Sequence, residues 1–498
     1  MFKSLIVSAL VLNLGLLLGR LSGFVREAFV ASTFGASAQA DIVVLMLTVP
    51  DLLVNILVGG AFGAVLVPAF SRDIQRAGRL LYQSLVIFGL VFMLVSAGLF
   101  WQADFLVTIL MPGFGSVQAS QAALALGWVI WLVPLTVLAG VVTAYLHSRN
   151  QFAVAALGTL IINVAIVIGL SLSYFGNGSI QLVAIFVLIG GLVRLLSQLQ
   201  QVTFFWNPVG ALRPLLINKN LFIQYGQAML SGSVLLLFPV VSRAFASYET
   251  EGSVALFNYA SRLVEFPLAV SITFLTVVVF PRLANSYSSD LVLHRQLIRY
   301  GIQAIIGLSL VVAIILASLS SKYVVTVYGY GVMQKDSLEQ VTALVKIGLL
   351  MLPLQGVSGF LTAVFNSRKD TRTPMLLNGI GLVFFISGVN IGLFGEGLPA
   401  LMWGMLTGYG VICLLQLLFL KVDSFSWLQV FREGRFVLGI FSASMLSVYL
   451  CQLIERADFS SWGSMILGCV VGLVTIFIMA LFYQEIRSGL KVMLIRND

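Results

Sequence analysis

The sequence predicts an all-α polytopic membrane protein, and three observations carry that prediction. Apolar residues make up 59% of the 498, only 9% are charged, and mean hydropathy is +1.04. A soluble domain carries about 25% charge. Apolar runs of the ~20 residues that a bilayer-spanning helix needs recur fourteen times. Lysines and arginines gather on alternate connections between those runs, as the positive-inside rule requires of a chain that weaves across a membrane.

The runs lie near 5–31, 42–70, 80–101, 121–146, 152–174, 179–205, 221–247, 253–281, 298–320, 341–366, 373–394, 398–420, 436–454 and 462–484. The first has Lys3 ahead of it and an Ala38-Gln39-Ala40 motif behind it, like a secretory leader. It is too long for one and is interrupted by Arg20, Arg26 and Glu27, so it is expected to stay as span 1. With the N-terminus in the cytoplasm, nineteen of the 28 Lys and Arg residues fall on cytoplasmic segments. The outer loops hold only Lys322, Lys335 and Arg456. Both termini are therefore expected in the cytoplasm. The same bias explains the net charge of +9 without a nucleic-acid partner, since no soluble basic domain is expected. The basic, amphipathic DLVLHRQLIRYG (290–301) is expected to lie along the cytoplasmic interface before span 9.

The spans form a repeat. At a constant offset of 219, Pro134/Pro353, Leu135/Leu354, Gly140/Gly359, Thr143/Thr362, Ala144/Ala363, Ser148/Ser367 and Arg149/Arg368 coincide. The register continues through Gly169/Gly388, Phe175/Phe394, Gly176/Gly395 and Gly178/Gly397. Spans 7–12 thus copy spans 1–6. Six is even, so the copies share orientation, as parallel repeats about an axis along the membrane normal do. The expected organisation is a six-helix lobe over 1–206, a second over 207–424, and two additional helices over 425–498.

Composition excludes several chemistries. Cys413, Cys451 and Cys469 have no spacing that suggests a disulfide framework or a metal site. His147 and His294 lie beside arginines at span ends, so neither metal nor catalytic histidine is expected. The phosphate-loop motif G-x-x-x-x-G-K-[ST] does not occur, and no nucleotide cofactor is expected. A transporter rather than an enzyme fits, driven by the membrane potential or an ion gradient, and it is expected to act as a monomer.

The charges inside spans are the candidate site, because each costs at least ~2.5–3.5 kcal/mol to bury in a bilayer. At ~1.5 Å per helical residue, Arg20 falls near the midplane of span 1 and Arg26 further out. Asp51 falls near the midplane of span 2, with Asn55 below it. Arg262 lies in the outer half of span 8 and Glu265 closer to the middle. Gly19, Gly23, Pro50 and Pro267 flank these charges, as in spans that line a cavity. Two readings coexist. Arg20 with Asp51 and Arg262 with Glu265 form buried locks, or Arg20, Arg26 and Arg262 hold an anion, for which guanidinium forks suit phosphate oxygens. Arg243 and Lys346 are expected to snorkel to an interface. Arg194 is left without a role.

At these residues the chain resembles the MviN/MurJ family of lipid II flippases, within the multidrug/oligosaccharidyl-lipid/polysaccharide exporter superfamily. The resemblance rests on GRLSGFVREAFVASTFGASAQAD (19–41), VPDLLVNILVGGAFGAVLVPAF (49–70), YLHSRNQFAVAALGTLIIN (145–163) and GSVALFNYASRLVEFPLAV (252–270). The last is similar to the family's Y-A-x-R-L-x-E-x-P signature at Tyr259, Ala260, Arg262, Leu263, Glu265 and Pro267. It implies flipping of an undecaprenyl-pyrophosphate-linked saccharide, by default lipid II for peptidoglycan, from the cytoplasmic to the periplasmic leaflet of the bacterial inner membrane. It also implies a V-shaped cavity between the lobes, and a groove made with spans 13 and 14 for the lipid tail. By the same resemblance Arg20, Arg26 and Arg262 bind the pyrophosphate and Asp41 is the family's acidic residue opening span 2; from their place in the spans, Asp51, Asn55, Glu265 and Glu27 are expected with Asp41 to line or gate the cavity. The chain departs from the family's pattern at Asn55, where an arginine is expected, and at Gly59 and Ser261, where acidic residues are. Those losses fit an exopolysaccharide or O-antigen repeat unit as an alternative cargo. A drug/cation antiporter is more remote, because its cavity would favour carboxylates over arginines.

Overall fold

The structure, a computed structural model, describes residues 2–57, 61–72, 74–176, 179–202, 223, 225, 234–269, 273–420, 434–457 and 459–482. Among these there is no strand. Nine helices are long and apolar enough to cross a membrane, and a bent pair makes a tenth, among the described residues. The boundaries expected near 206 and 424 fall outside them, as does much of span 7. Packing divides the chain into two compact units. One holds 1–258 with 331–333, and the other 259–330 with 334–498.

In the first unit, α1 (Phe2–Phe34) is a single 33-residue helix. Span 2 is two helices, α2 (Ala38–Leu57) and α3 (Ala61–Arg72). Then come α4 (Ile74–Trp101), the short α5 (Ala103–Leu110) in the outer segment, α6 (Ser116–Val129) and α7 (Leu132–Ser148). The unit continues with α8 (Ala153–Ala156), α9 (Gly158–Phe175), α10 (Ile180–Leu199), α11 (Val234–Ala246) and the start of α12 (Ser253–Pro267). Phe62, Leu66, Phe70, Phe88 and Val137 anchor its core. Small residues bring α1 against α8 and α9. A Cβ on Gly15 would run into Ala156, one on Gly19 would sit 3.1 Å from the Thr159 Cβ, and one on Gly23 3.4 Å from the Asn163 Nδ2. Glycines four apart form one ridge, the small-xxx-small arrangement by which membrane helices approach closely.

The second unit holds the rest of α12, α13 (Thr273–Ser289), α14 (Leu291–Ser318), α15 (Ser320–Tyr328) and α16 (Lys335–Leu349). It continues with α17 (Leu352–Ser367), α18 (Arg372–Asn390) and α19 (Gly397–Phe419). Helices α16 and α17 meet at 47°. Pro353, like Pro134 in α7, sits in the first turn of the second helix of its pair. There a missing N–H is tolerated but the preceding helix cannot run on unbroken. The repeat is visible bond by bond. The Arg149 and Gln151 N–H groups both donate to the Leu146 carbonyl, and those of Arg368 and Asp370 to that of Phe365. Asn150 and Lys369 occupy the left-handed region at φ 60° and 61°. The Ser148 hydroxyl donates to the Tyr145 carbonyl and that of Ser367 to Val364.

The segment 290–301 does not form a separate interfacial helix. It is the first third of α14, a continuous 28-residue helix. The reason is that His294 is buried, its Nδ1 within 3.2 Å of the Ser286 Oγ and 3.1 Å of the Leu283 carbonyl. That face is therefore apposed to protein rather than to headgroups. The two extra helices, α20 (Gly434–Arg456) and α21 (Ser461–Phe482), pack on α14 through Ile315, Cys451 and Val471. Their polarity is inverted. Ser447 and Thr475 are buried and joined by a hydrogen bond, while Phe441, Met445, Leu473 and Phe477 are exposed. Such an apolar surface is stable against lipid and unstable against water.

Candidate functional site

In the first unit the polar residues of α1 meet those of α2, α9 and α12. Arg26 is the centre, only 5% exposed. Its Nη2 donates to Glu27 Oε1 at 2.8 Å and to Asp51 Oδ2 at 3.2 Å, and its Nη1 donates to Asn163 Oδ1 at 3.3 Å. The Asn163 amide in turn donates to the Gly19 carbonyl at 3.2 Å and to Ser22 Oγ at 3.0 Å. Asn258, in the second turn of α12, donates to Glu27 Oε2 at 2.9 Å. Glu27 is buried with Arg26, so one carboxylate is held from both sides. Asp51 differs, its side chain being 44% exposed. The cluster of one guanidinium and two carboxylates has one net negative charge. An anion reaching Arg26 therefore competes with Asp51, the one carboxylate open to exchange.

The expected locks are thus partly redrawn. Asp51 is held by Arg26 rather than by Arg20, which is exposed on α1. The six-residue separation of the two arginines turns them by roughly 240° around the helix. Only Arg26 falls on the face that the glycine ridge packs against α9. In the second unit, Arg262 does pair with Glu265, Nη1 to Oε2 at 3.2 Å, one turn apart on α12. Both side chains remain about a third exposed. Asn55 is exposed on α2, while Gly59 lies outside the described residues. Ser261 is buried, its Oγ without a hydrogen-bond partner among the described residues. Lys346 is exposed, as snorkelling requires, whereas Arg243 is buried.

Asp41 does not stand with Asp51. It is buried and accepts from the Gly252 N–H and the Ala255 N–H, both at 2.7 Å. Those are the two donors a capping box satisfies at the start of a helix, supplied here from α2 to α12. Gly252 allows this by lying at φ +87°, where a Cβ would also meet the Ala36 backbone at 2.7 Å. Its contribution is to hold α12 in place.

Asn163 and Asn258 went unrecognised from sequence. The signal was present: each is an amide within an apolar stretch, LIINVAIV and VALFNYA. In a membrane such a group costs free energy unless it finds a partner.

Comparison with known proteins places the fold and the family. The family model for the lipid II flippase MurJ matches residues 30–454, from the end of α1 to the end of α20. The chain is 29% identical over 336 residues to a probable lipid II flippase MurJ of Buchnera aphidicola subsp. Acyrthosiphon pisum, covering 63% of this chain and 64% of that protein. It is 26% identical over 475 residues to that of Buchnera aphidicola subsp. Baizongia pistaciae, covering 90% and 89%. Among solved structures it superposes on a lipid II flippase MurJ in an inward closed conformation with TM-score 0.79 and 18% identity, over 95% of this chain and 99% of that one. An inward-facing multidrug-resistance MATE transporter of the MOP superfamily gives 0.67 at 14% identity, over 80% and 93%. These structural matches establish the fold, and the family model establishes the lineage. The chain belongs to the MurJ lipid II flippase family.

Proposed function

We propose that this protein flips a polyprenyl-pyrophosphate-linked saccharide, lipid II in the first instance, from the cytoplasmic to the periplasmic leaflet by alternating access. The observation that carries this reading is the Arg26 cluster. A buried guanidinium is fixed by Glu27 and Asn163, and it also holds a half-exposed carboxylate, Asp51. A phosphate oxygen takes the place of Asp51 on Arg26, and Asp51 returns when the headgroup leaves. Arg20, exposed on the same helix, adds a second positive group. Arg262 is held by Glu265 in the same exchangeable way. A potential negative inside favours outward movement of the anion by ~2.3 kcal/mol per charge per 100 mV. The protein works as a monomer in the inner membrane, both termini in the cytoplasm, with the lipid tail against α20 and α21.

The test is replacement of a cell's essential lipid II flippase by this chain. Survival supports lipid II. Death despite normal membrane levels excludes it and leaves the exopolysaccharide or O-antigen unit that Asn55, Gly59 and Ser261 suggest. In the surviving strain, Arg262→Ala is expected to abolish growth while the protein stays in the membrane. Normal growth would overturn the arginine assignment.

A further inference from the structure

Arg194 belongs to neither the Arg26 cluster nor the expected interfacial positions. It lies five residues before the end of α10, in the apolar run IQLVAIFVLIGGLVRLLSQL, about 7.5 Å from that end at the helical rise. On the topology that the lysines and arginines predict, that is the cytoplasmic half of the span. A snorkelling arginine would reach along the helix into water, but this one is 9% exposed. It folds over the first residue of α9 instead. A Cβ on Gly158 would stand 2.7 Å from the Arg194 Nε, 3.2 Å from its Cδ and 3.3 Å from its Cζ. Only glycine leaves room for the guanidinium there.

The placement is electrostatically one-sided. Among the described residues Arg194 forms no ion pair, and its buried Nε has no hydrogen-bond partner. What it faces is the N-terminus of an 18-residue helix, which carries about half a positive charge. Two positive features thus converge in one buried place, with no counter-charge paired to Arg194 among the described residues. A guanidinium fork above a helix N-terminus is the donor set that phosphate oxygens fill. We propose that Arg194 and the first turn of α9 form a phosphate-binding site. The phosphate is either that of an anionic phospholipid in the adjoining leaflet or free inorganic phosphate. The site is independent of the flipped substrate, because its residues are not those of the Arg26 cluster.

The test uses the full-length protein in neutral detergent. Thermal unfolding and bound mass by native mass spectrometry are followed as inorganic phosphate or dioleoylphosphatidylglycerol is added, with dioleoylglycerol as the phosphate-free control lipid. One of the two phosphate probes is expected to raise the unfolding midpoint and appear as a bound adduct, which identifies the source. Arg194→Gln is expected to weaken that binding about tenfold or more, the size of a lost charge-assisted hydrogen bond. Arg194→Lys is expected to fall between, keeping the charge but not the fork. Gly158→Ala, whose methyl displaces the guanidinium, serves as the second variant should Arg194→Gln fail to accumulate. No shift with either probe in the wild type overturns the proposal. So does equal binding by wild type and variants.

Discussion

Replacing Glu27 by Ala removes the carboxylate that Arg26 and Asn258 share. Both Glu27 and Arg26 are buried, with side chains 4% and 6% exposed, so water cannot take the place of the lost partner. Breaking a buried ion pair from one side typically costs ~3–5 kcal/mol. Here Arg26 keeps Asp51 at 3.2 Å and Asn163 at 3.3 Å, which puts the expected loss near the lower end, about 3 kcal/mol. The Asn258 amide loses a charge-assisted bond of 2.9 Å, worth ~1.5–3 kcal/mol and not additive with the first. A double-mutant cycle separates them. Glu27→Ala, Asn258→Ala and the pair are unfolded in detergent, and the coupling energy is read from the midpoints. The expected coupling is at least about 1 kcal/mol, as for residues in one hydrogen-bond network. Additive midpoints, or a Glu27→Ala variant as stable as wild type, would refute the reasoning that this carboxylate ties α12 to α1.

Asp51→Asn is expected to change stability by less than about 1 kcal/mol, since the side chain is 44% exposed and such pairs are screened. It should nonetheless alter transport, measured by growth of the complemented strain; unchanged growth would argue against exchange at Arg26. Gly19→Val should destabilise by ~1–3 kcal/mol through overpacking, because its Cβ meets Thr159 at 3.1 Å. Gly359→Ala, with nothing within 4 Å of the added methyl, should instead be neutral or stabilising by up to ~1 kcal/mol; equal effects would contradict the ridge. Asp370, in the turn before α18, is subject to burial that raises its pKa. Hydrogen bonds from Thr373 and the Arg372 backbone, with the nearby Arg368 charge, outweigh it and hold the carboxyl below the usual range. Its contribution is therefore present above the unfolded pKa of ~3.9 and lost as pH falls through the folded value. Asp370→Asn should flatten that acid limb of the unfolding curve.

Much of the architecture was legible because a bilayer leaves the chain few choices. Backbone polar groups must be satisfied internally, so apolar runs are helices and charged turns mark their ends. The 219-residue register was legible for the same reason. Pro134 and Pro353 interrupt helices wherever they occur, and Asn150 and Lys369 occupy the same backbone conformation in the two copies. Less legible was the start of α14. Amphipathicity reveals a polar and an apolar face, but not whether headgroups or other helices cover the apolar one. His294 chose protein, through Ser286 and the Leu283 carbonyl.

By itself the sequence determined that this is a helical membrane protein built from a duplicated unit, with arginines and carboxylates placed inside its spans at a cost that only function or pairing repays. Hydropathy and spacing suffice for that, since they depend on residues close along the chain. Only the tertiary structure decided which arginine holds Asp51 and what else that arginine meets. Arg26 rather than Arg20 holds Asp51, Asn163 and Asn258 complete the cluster, and Asp41 caps α12 instead of joining it. These contacts join residues 25 to 231 positions apart. Their geometry depends on helix rotation and on the approach that Gly15, Gly19 and Gly23 permit, neither of which is written in any single span.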